Sequence, residues 1–173
     1  MKIAESAFKK NQNVVFLCRD VNPIDFTIEF LKSIPKKSKV LYITVNKSCS
    51  VLTDKFKSEG IDYSKWSFID CISSSLFMTG KTSSQCQHLS SPTALVDLAM
   101  AIDDKLKEVD FIVFDNISGL LVYNGDVPTL QLLNSLMSKV RQTKAKVAYL
   151  LFHDTGKEVM EDLALFADKV QVV

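Results

Sequence analysis

A carboxylate that closes a short apolar run is the first residue in this chain able to do chemistry. Asp115 ends Val109-Asp110-Phe111-Ile112-Val113-Phe114-Asp115. A strand-terminal acid of this kind can hold the shell of a magnesium ion during phosphoryl transfer. The alternative is an Asp that accepts backbone N–H groups from the turn that follows, Asn116-Ile117-Ser118-Gly119. His153 stands in a similar place after Val147-Ala148-Tyr149-Leu150-Leu151-Phe152, where it either meets a ligand or caps the next turn with Asp154. Thr79-Gly80-Lys81-Thr82 imitates the close of a phosphate-binding loop, but the loop's earlier glycine would fall on Ser75. A phosphate loop needs strand, turn and helix N-terminus together, and the polar Ser83-Ser84-Gln85-Cys86-Gln87 follows instead of a helix. No Ser-His-Asp order or carboxylate pair marks a hydrolytic site, and two histidines leave few general bases.

The four cysteines, Cys18, Cys49, Cys71 and Cys86, are widely spaced with no CxxC pair. Zinc sites announce themselves by close ligand pairs, so sequence spacing assembles no metal site here, with only His88 and His153 to add. The N-terminal MKIAESAFKKNQN has no apolar h-region, and no run approaches a membrane span. Reduced, mostly buried thiols in a cytoplasmic protein are the expectation. The 21 Lys+Arg against 20 Asp+Glu give a net charge of +1, which excludes a bulk basic field for nucleic acid or an anionic membrane.

The elements that must position these residues alternate in type. Short β-branched runs, Val14–Cys18, Val40–Thr44, Trp66–Ile72, Val109–Asp115, Val147–Phe152 and Val170–Val173, are separated by segments of helical period. Asn22-Pro23 is an N-cap and first-turn pair, Ser48 caps a second helix with Gly60 as its stop, and Ser91-Pro92 opens a third. Pro128 starts another, and Val159, Met160, Leu163 and Phe166 mark the last. The segment Ser73–Ser91, about 19 residues, exceeds the usual connection and is expected to be a mobile or functional loop, in which Phe77 and Met78 either pack back on the domain or anchor another chain. The pattern predicts one α/β domain over residues 1–173 in three layers, with a mainly parallel central sheet and helices on both faces.

Open parallel sheets bind ligands beyond the C-terminal ends of their strands. After the first strand a nucleotide-binding protein places a glycine-rich loop whose N–H groups wrap phosphate. Here the segment is Cys18-Arg19-Asp20-Val21-Asn22-Pro23: it has no glycine, Asp20 adds negative charge, and Pro23 lacks an N–H.

The order and spacing of these segments resemble the RecA/KaiC-like branch of the P-loop ATPase superfamily across nearly the whole chain. The resemblance rests on Val40–Thr44 and the Gly60-Ile61-Asp62 turn, Phe68-Ile69-Asp70-Cys71 and Ser91-Pro92-Thr93 opening a helix. It rests too on Phe111–Asp115 before Asn116-Ile117-Ser118, and on the strand to His153 followed by a helix and Ala167-Asp168-Lys169-Val170. The resemblance implies a RecA-like fold, with Asp115 matching the magnesium-site aspartate. The departures argue against ATPase activity. Active members carry glycines and a Lys-Thr pair where this chain has Arg19 to Thr27, and catalytic acids where it has Val45-Asn46-Lys47-Ser48. Losing the phosphate grip or the base costs several orders of magnitude in rate.

The sequence is therefore read as a non-catalytic domain with no cofactor and no metal, acting through a protein partner or self-association. Arg19, Asp20, Asn46, Asp115 and His153 are its vestigial-site positions. A second reading is an atypical nucleotide binder or slow ATPase. A third is nucleic-acid binding through Lys36, Lys37 and Lys39 or Lys144 and Lys146, residues more simply read as solvated turns.

Overall fold

In a computed structural model, described over residues 3–74, 84–152 and 156–173, seven strands lie side by side and run the same way. They are β1 (Asn13–Cys18), β2 (Val40–Thr44), β3 (Trp66–Asp70), β4 (Cys86–His88), β5 (Phe111–Asp115), β6 (Lys146–Phe152) and β7 (Lys169–Val172). The sheet order is β4-β3-β2-β5-β6-β1-β7, every neighbouring pair parallel. Helices α1 (Ile3–Ala7), α2 (Pro23–Ser33) and α3 (Cys49–Ser58) cover one face. Helices α4 (Leu95–Leu106), α5 (Ile117–Asn124), α6 (Asp126–Val140) and α7 (Lys157–Phe166) cover the other. The arrangement is a three-layer α/β fold.

Strand periodicity of two sorts the core into two halves. In β1, Val15 and Leu17 enter the α4–α7 side, while Val14, Phe16 and Cys18 enter the α1–α3 side. In β2, Leu41 and Ile43 face the first and Val40 and Tyr42 the second. The α1–α3 half is aromatic: the Phe16 ring lies 5.3 Å from Phe26 and 5.2 Å from Phe30, and Tyr42 lies 5.3 Å from Phe56. The other half is mainly aliphatic.

The helix starts follow their caps. Asn22 caps α2 and Ser48 caps α3, and Gly60 adopts φ 69° just past the end of α3, in the left-handed region glycine enters without strain. Three expectations are corrected. First, β3 stops at Asp70 rather than Ile72, because the Asp70 carboxylate turns the chain by accepting the N–H groups of Ile72 (3.0 Å) and Ser73 (2.9 Å). Second, Ser91-Pro92-Thr93 forms a turn, with Ala94 N–H on the Ser91 carbonyl at 3.1 Å, and α4 begins only at Leu95. Third, the turn after Asp115 is a helix, α5, capped by Asn116. The aperiodic stretch also contains β4. Phe77 and Met78, and most of the mobility expected for that stretch, lie in 75–83, outside the described residues. The thiols are free, with Cys18, Cys49 and Cys71 buried and Cys86 half-buried.

Asp168, just before β7, joins three elements. Its Oδ2 accepts the N–H groups of Gln12 and Asn13, both at 2.8 Å, and its Oδ1 accepts from Arg141 Nη2 (2.9 Å) and Nε (3.2 Å). Burial pushes this carboxyl up, but the Asn13 and Gln12 N–H groups and the Arg141 guanidinium outweigh it and hold the group below the ordinary range. A lowered folded pKa adds stability above the unfolded value, near 4, and that stability is lost as pH falls through the folded value. Asp168→Ala is expected to cost about 1.5–3 kcal/mol at pH 7. In urea melts from pH 7 downward, the gap between variant and parent closes below about pH 4.

Candidate functional site

β2 leaves the sheet toward β3, whereas its neighbour β5 leaves toward β6, so a crevice opens beyond their C-terminal ends. A cavity of about 320 Å³ occupies it, between α2 and α3. Its walls are Pro23, Ile24, Thr27 and Ile28 of α2, Leu52, Lys55 and Phe56 of α3, and Tyr42 and Phe152 of the sheet. Asn22, Asn46, Lys47, Asp115 and Asn116 supply the polar rim. The volume sits at the small end of ligand sites, and the lining is mostly apolar.

Asp115 is the buried acid of this cavity. Its register explains its partner: Tyr42 stands opposite Val113, so Tyr42 and Asp115 lie diagonally on one face of the sheet, within reach of a long side chain. The Tyr42 hydroxyl donates to Asp115 Oδ2. Burial pushes Asp115 above the ordinary carboxylate range, and the Tyr42 hydroxyl, the Lys47 charge and the Asn116 side chain only partly offset it. Asp115 does not take the N–H groups of the following turn; Asn116 does so instead, accepting from Gly119 at 2.7 Å. Tyr42 was not singled out by sequence, where it reads as one more apolar strand residue. Its signal, a hydroxyl two residues before the end of a buried strand, becomes legible only once the β2–β5 register is known.

The remaining sequence candidates divide. Asn46 does line the cavity, and its amide lies against Gly119, where an added Cβ would stand 2.3 Å from Asn46 Oδ1. Lys47, beside it, is turned by Thr44, whose hydroxyl donates to the Lys47 carbonyl at 2.7 Å. Arg19 and Asp20 are exposed and stand outside the cavity lining. Their N–H groups both donate to the Val173 carbonyl, at 2.9 and 3.1 Å. His153 lies outside the described residues. The lysine groups Lys36, Lys37, Lys39 and Lys144, Lys146 flank the N-terminal ends of β2 and β6, at the opposite end of the strands from the cavity, where Lys146 Nζ sits 5.6 Å from the centre of the Phe111 ring.

The start of α2 shows what became of the phosphate-loop position. Asn22 Oδ1 accepts from the N–H groups of Ile24 (2.9 Å) and Asp25 (3.2 Å), and Pro23 has none.

No protein-family model matches this sequence, and no curated protein does. Among solved structures, the chain is similar to a KaiC-like protein from the hyperthermophilic archaeon Pyrococcus horikoshii, with a TM-score of 0.63 at 12% identity. The match covers 94% of this chain and 71% of that one. The fold is RecA-like. At this identity the likeness speaks for the fold alone, and the chemistry of the RecA-like domain has to be argued from its own residues. No helix among the described residues is long and apolar enough to cross a membrane.

A raised folded pKa at Asp115 makes its ionisation costly once pH passes the unfolded carboxyl range near 4, and the cost vanishes as pH falls below it. Asp115→Asn keeps an acceptor for Tyr42 and removes the buried charge. It is expected to raise the urea midpoint at pH 7–8, with the gain disappearing in acid. Asp115→Ala, which leaves the buried Tyr42 hydroxyl without its acceptor, is expected to cost about 1–3 kcal/mol in the same melts.

Proposed function

We propose that this RecA-like domain does not hydrolyse ATP and acts by binding protein, either a partner chain or a second copy of itself. One observation carries the reading: the backbone donors of Arg19, Asp20, Ile24 and Asp25 around the start of α2 are engaged within the chain. Arg19 and Asp20 donate to Val173, Ile24 and Asp25 donate to the Asn22 side chain, and Pro23 cannot donate. Phosphate binding at a helix N-terminus depends on N–H groups pointing at the anion. Here the Asn22 oxygen takes the place of an anion oxygen.

The catalytic side is equally bare. Asn46 and Lys47 follow β2 where an acid would have to polarise water, and Asp115 Oδ2 already accepts the Tyr42 hydroxyl. In favour of protein binding, several large apolar side chains remain exposed on α4 and around the α5–α6 turn: Val96 (72%), Met100 (62%), Val122 (83%) and Val127 (65%). Asn124 Nδ2 donates to the Pro92 carbonyl at 3.1 Å and so keeps the end of α5 beside the start of α4. Exposed apolar groups gathered in one region mark interaction surfaces more often than singly scattered ones do.

The second reading is a nucleotide binder without a phosphate loop, and the cavity beside Lys47 and Lys55 favours it. Calorimetry with ATP and magnesium separates the two. The protein-binding reading expects no heat of binding and no phosphate release, together with light scattering that shows a mass above 19.4 kDa or co-purification of a stoichiometric partner. A low-micromolar affinity for ATP–magnesium that disappears in Asp115→Ala overturns it in favour of the nucleotide.

A further inference from the structure

The edge of the sheet away from the cavity brings together three metal-ligating side chains from two strands. Cys86 and His88 are two residues apart on β4, so strand geometry puts them on one face. Parallel pairing sets Asp70, the last residue of β3, directly opposite His88. The first residue of α3, Cys49, donates its N–H to Asp70 Oδ2 at 2.8 Å, which fixes the helix start above the strand ends. One ligand atom each from Asp70, Cys86 and His88 lies within 4.8 Å of the others, and His88 Nδ1 is 3.5 Å from Asp70 Oδ2.

We propose that Asp70, Cys86 and His88 form a binding site for a thiophilic divalent cation, Zn²⁺ by the choice of donors. A thiol, an imidazole and a carboxylate suit tetrahedral zinc, whereas Mg²⁺ and Ca²⁺ take oxygen donors. Ligand bonds of about 2.0–2.3 Å bring tetrahedral donors to within roughly 3.5 Å of each other, so a small inward closure from the present spacing completes the site. The carboxylate is already held in place: Asp70 is fully buried and accepts the N–H groups of Cys49, Ile72 and Ser73 and the Ser73 hydroxyl. Hydrogen bonding of this kind orients ligands in metal sites. On binding, the Cys86 thiol releases its proton to solvent and coordinates as a thiolate, with no change of oxidation state. Three protein ligands leave the fourth tetrahedral position to water. The effect is to pin β4, a three-residue edge strand, to the end of β3. Sequence spacing predicts no metal site because the ligands include no close cysteine pair; topology makes Asp70 a neighbour of Cys86 and His88.

The test uses the full chain, stripped with chelator and kept reduced by a phosphine so that no thiol is lost to a disulfide. Titration with Co²⁺ is expected to saturate at one ion per chain, with a thiolate-to-cobalt charge-transfer band in the near ultraviolet and the intense visible bands of tetrahedral cobalt. Added Zn²⁺ then bleaches both. Cys86→Ser and His88→Ala, both on the half-buried edge strand, are each expected to weaken cobalt binding by at least about tenfold. Cys18→Ser and Cys71→Ser should leave it unchanged, and circular dichroism checks that every variant is folded. A folded, reduced protein that shows no charge-transfer band at one equivalent overturns the proposal. So does a band that survives in both Cys86→Ser and His88→Ala. The readout involves no nucleotide, so its failure is independent of the function proposed above.

Discussion

Every inner strand of this sheet has to bury both of its faces, and the rest of the structure follows from that constraint. A parallel pair cannot be closed by a tight hairpin, so each connection crosses over through a helix or a long segment, and the crossovers cover the two faces. The strands accordingly read as continuous apolar runs, and β1 and β2 are buried at every position. Their alternate residues serve two separate cores, one rich in stacked aromatic rings and one mainly aliphatic. A one-residue slip of β2 against β5 would exchange the two sets and would also part Tyr42 from Asp115.

The same constraint places all the interesting chemistry at strand ends, where burial gives way to turns. Two carboxylates, Asp70 and Asp115, end strands on either side of β2, level with each other across Thr44. Burial pushes both upward, yet they end on opposite sides of the ordinary carboxylate range. Asp70 receives backbone N–H groups from Cys49, Ile72 and Ser73 as well as the Ser73 hydroxyl, and these hold it ionised. Asp115 has the Tyr42 hydroxyl, the more distant Lys47 charge and the Asn116 side chain, which are too little to match its burial. Hydrogen-bond supply set against burial decides the direction of each shift. In the same way, the start of α2 is a helix N-terminus whose donors have found partners inside the chain, and it differs in that respect from an anion site.

Much of this was legible in the residues themselves. The strand runs, the caps Asn22 and Ser48, the stop at Gly60 and the missing glycines before Pro23 are local signals, and each acts within a few residues of itself. The errors share a cause too. β4 has only three residues, too few to show a period, and exists because β3 offers it an edge. The α5 helix was hidden because its apolar residues run all round, the mark of a buried helix rather than an amphipathic one. Asp70 cut β3 short through its side chain, which no strand propensity reflects.

What the sequence by itself determined is therefore the class of the fold, the polarity and boundaries of most elements, and the absence of a glycine-rich phosphate loop after β1. All of these rest on patterns shorter than one element. Tertiary structure alone decided which side chains meet. Tyr42 reaches Asp115 across a separation of 73 residues. Asp70, Cys86 and His88 converge from two strands. The physical reason is that such meetings depend on strand order and register, which are set by how the two cores pack and leave no trace in the spacing of the residues they join.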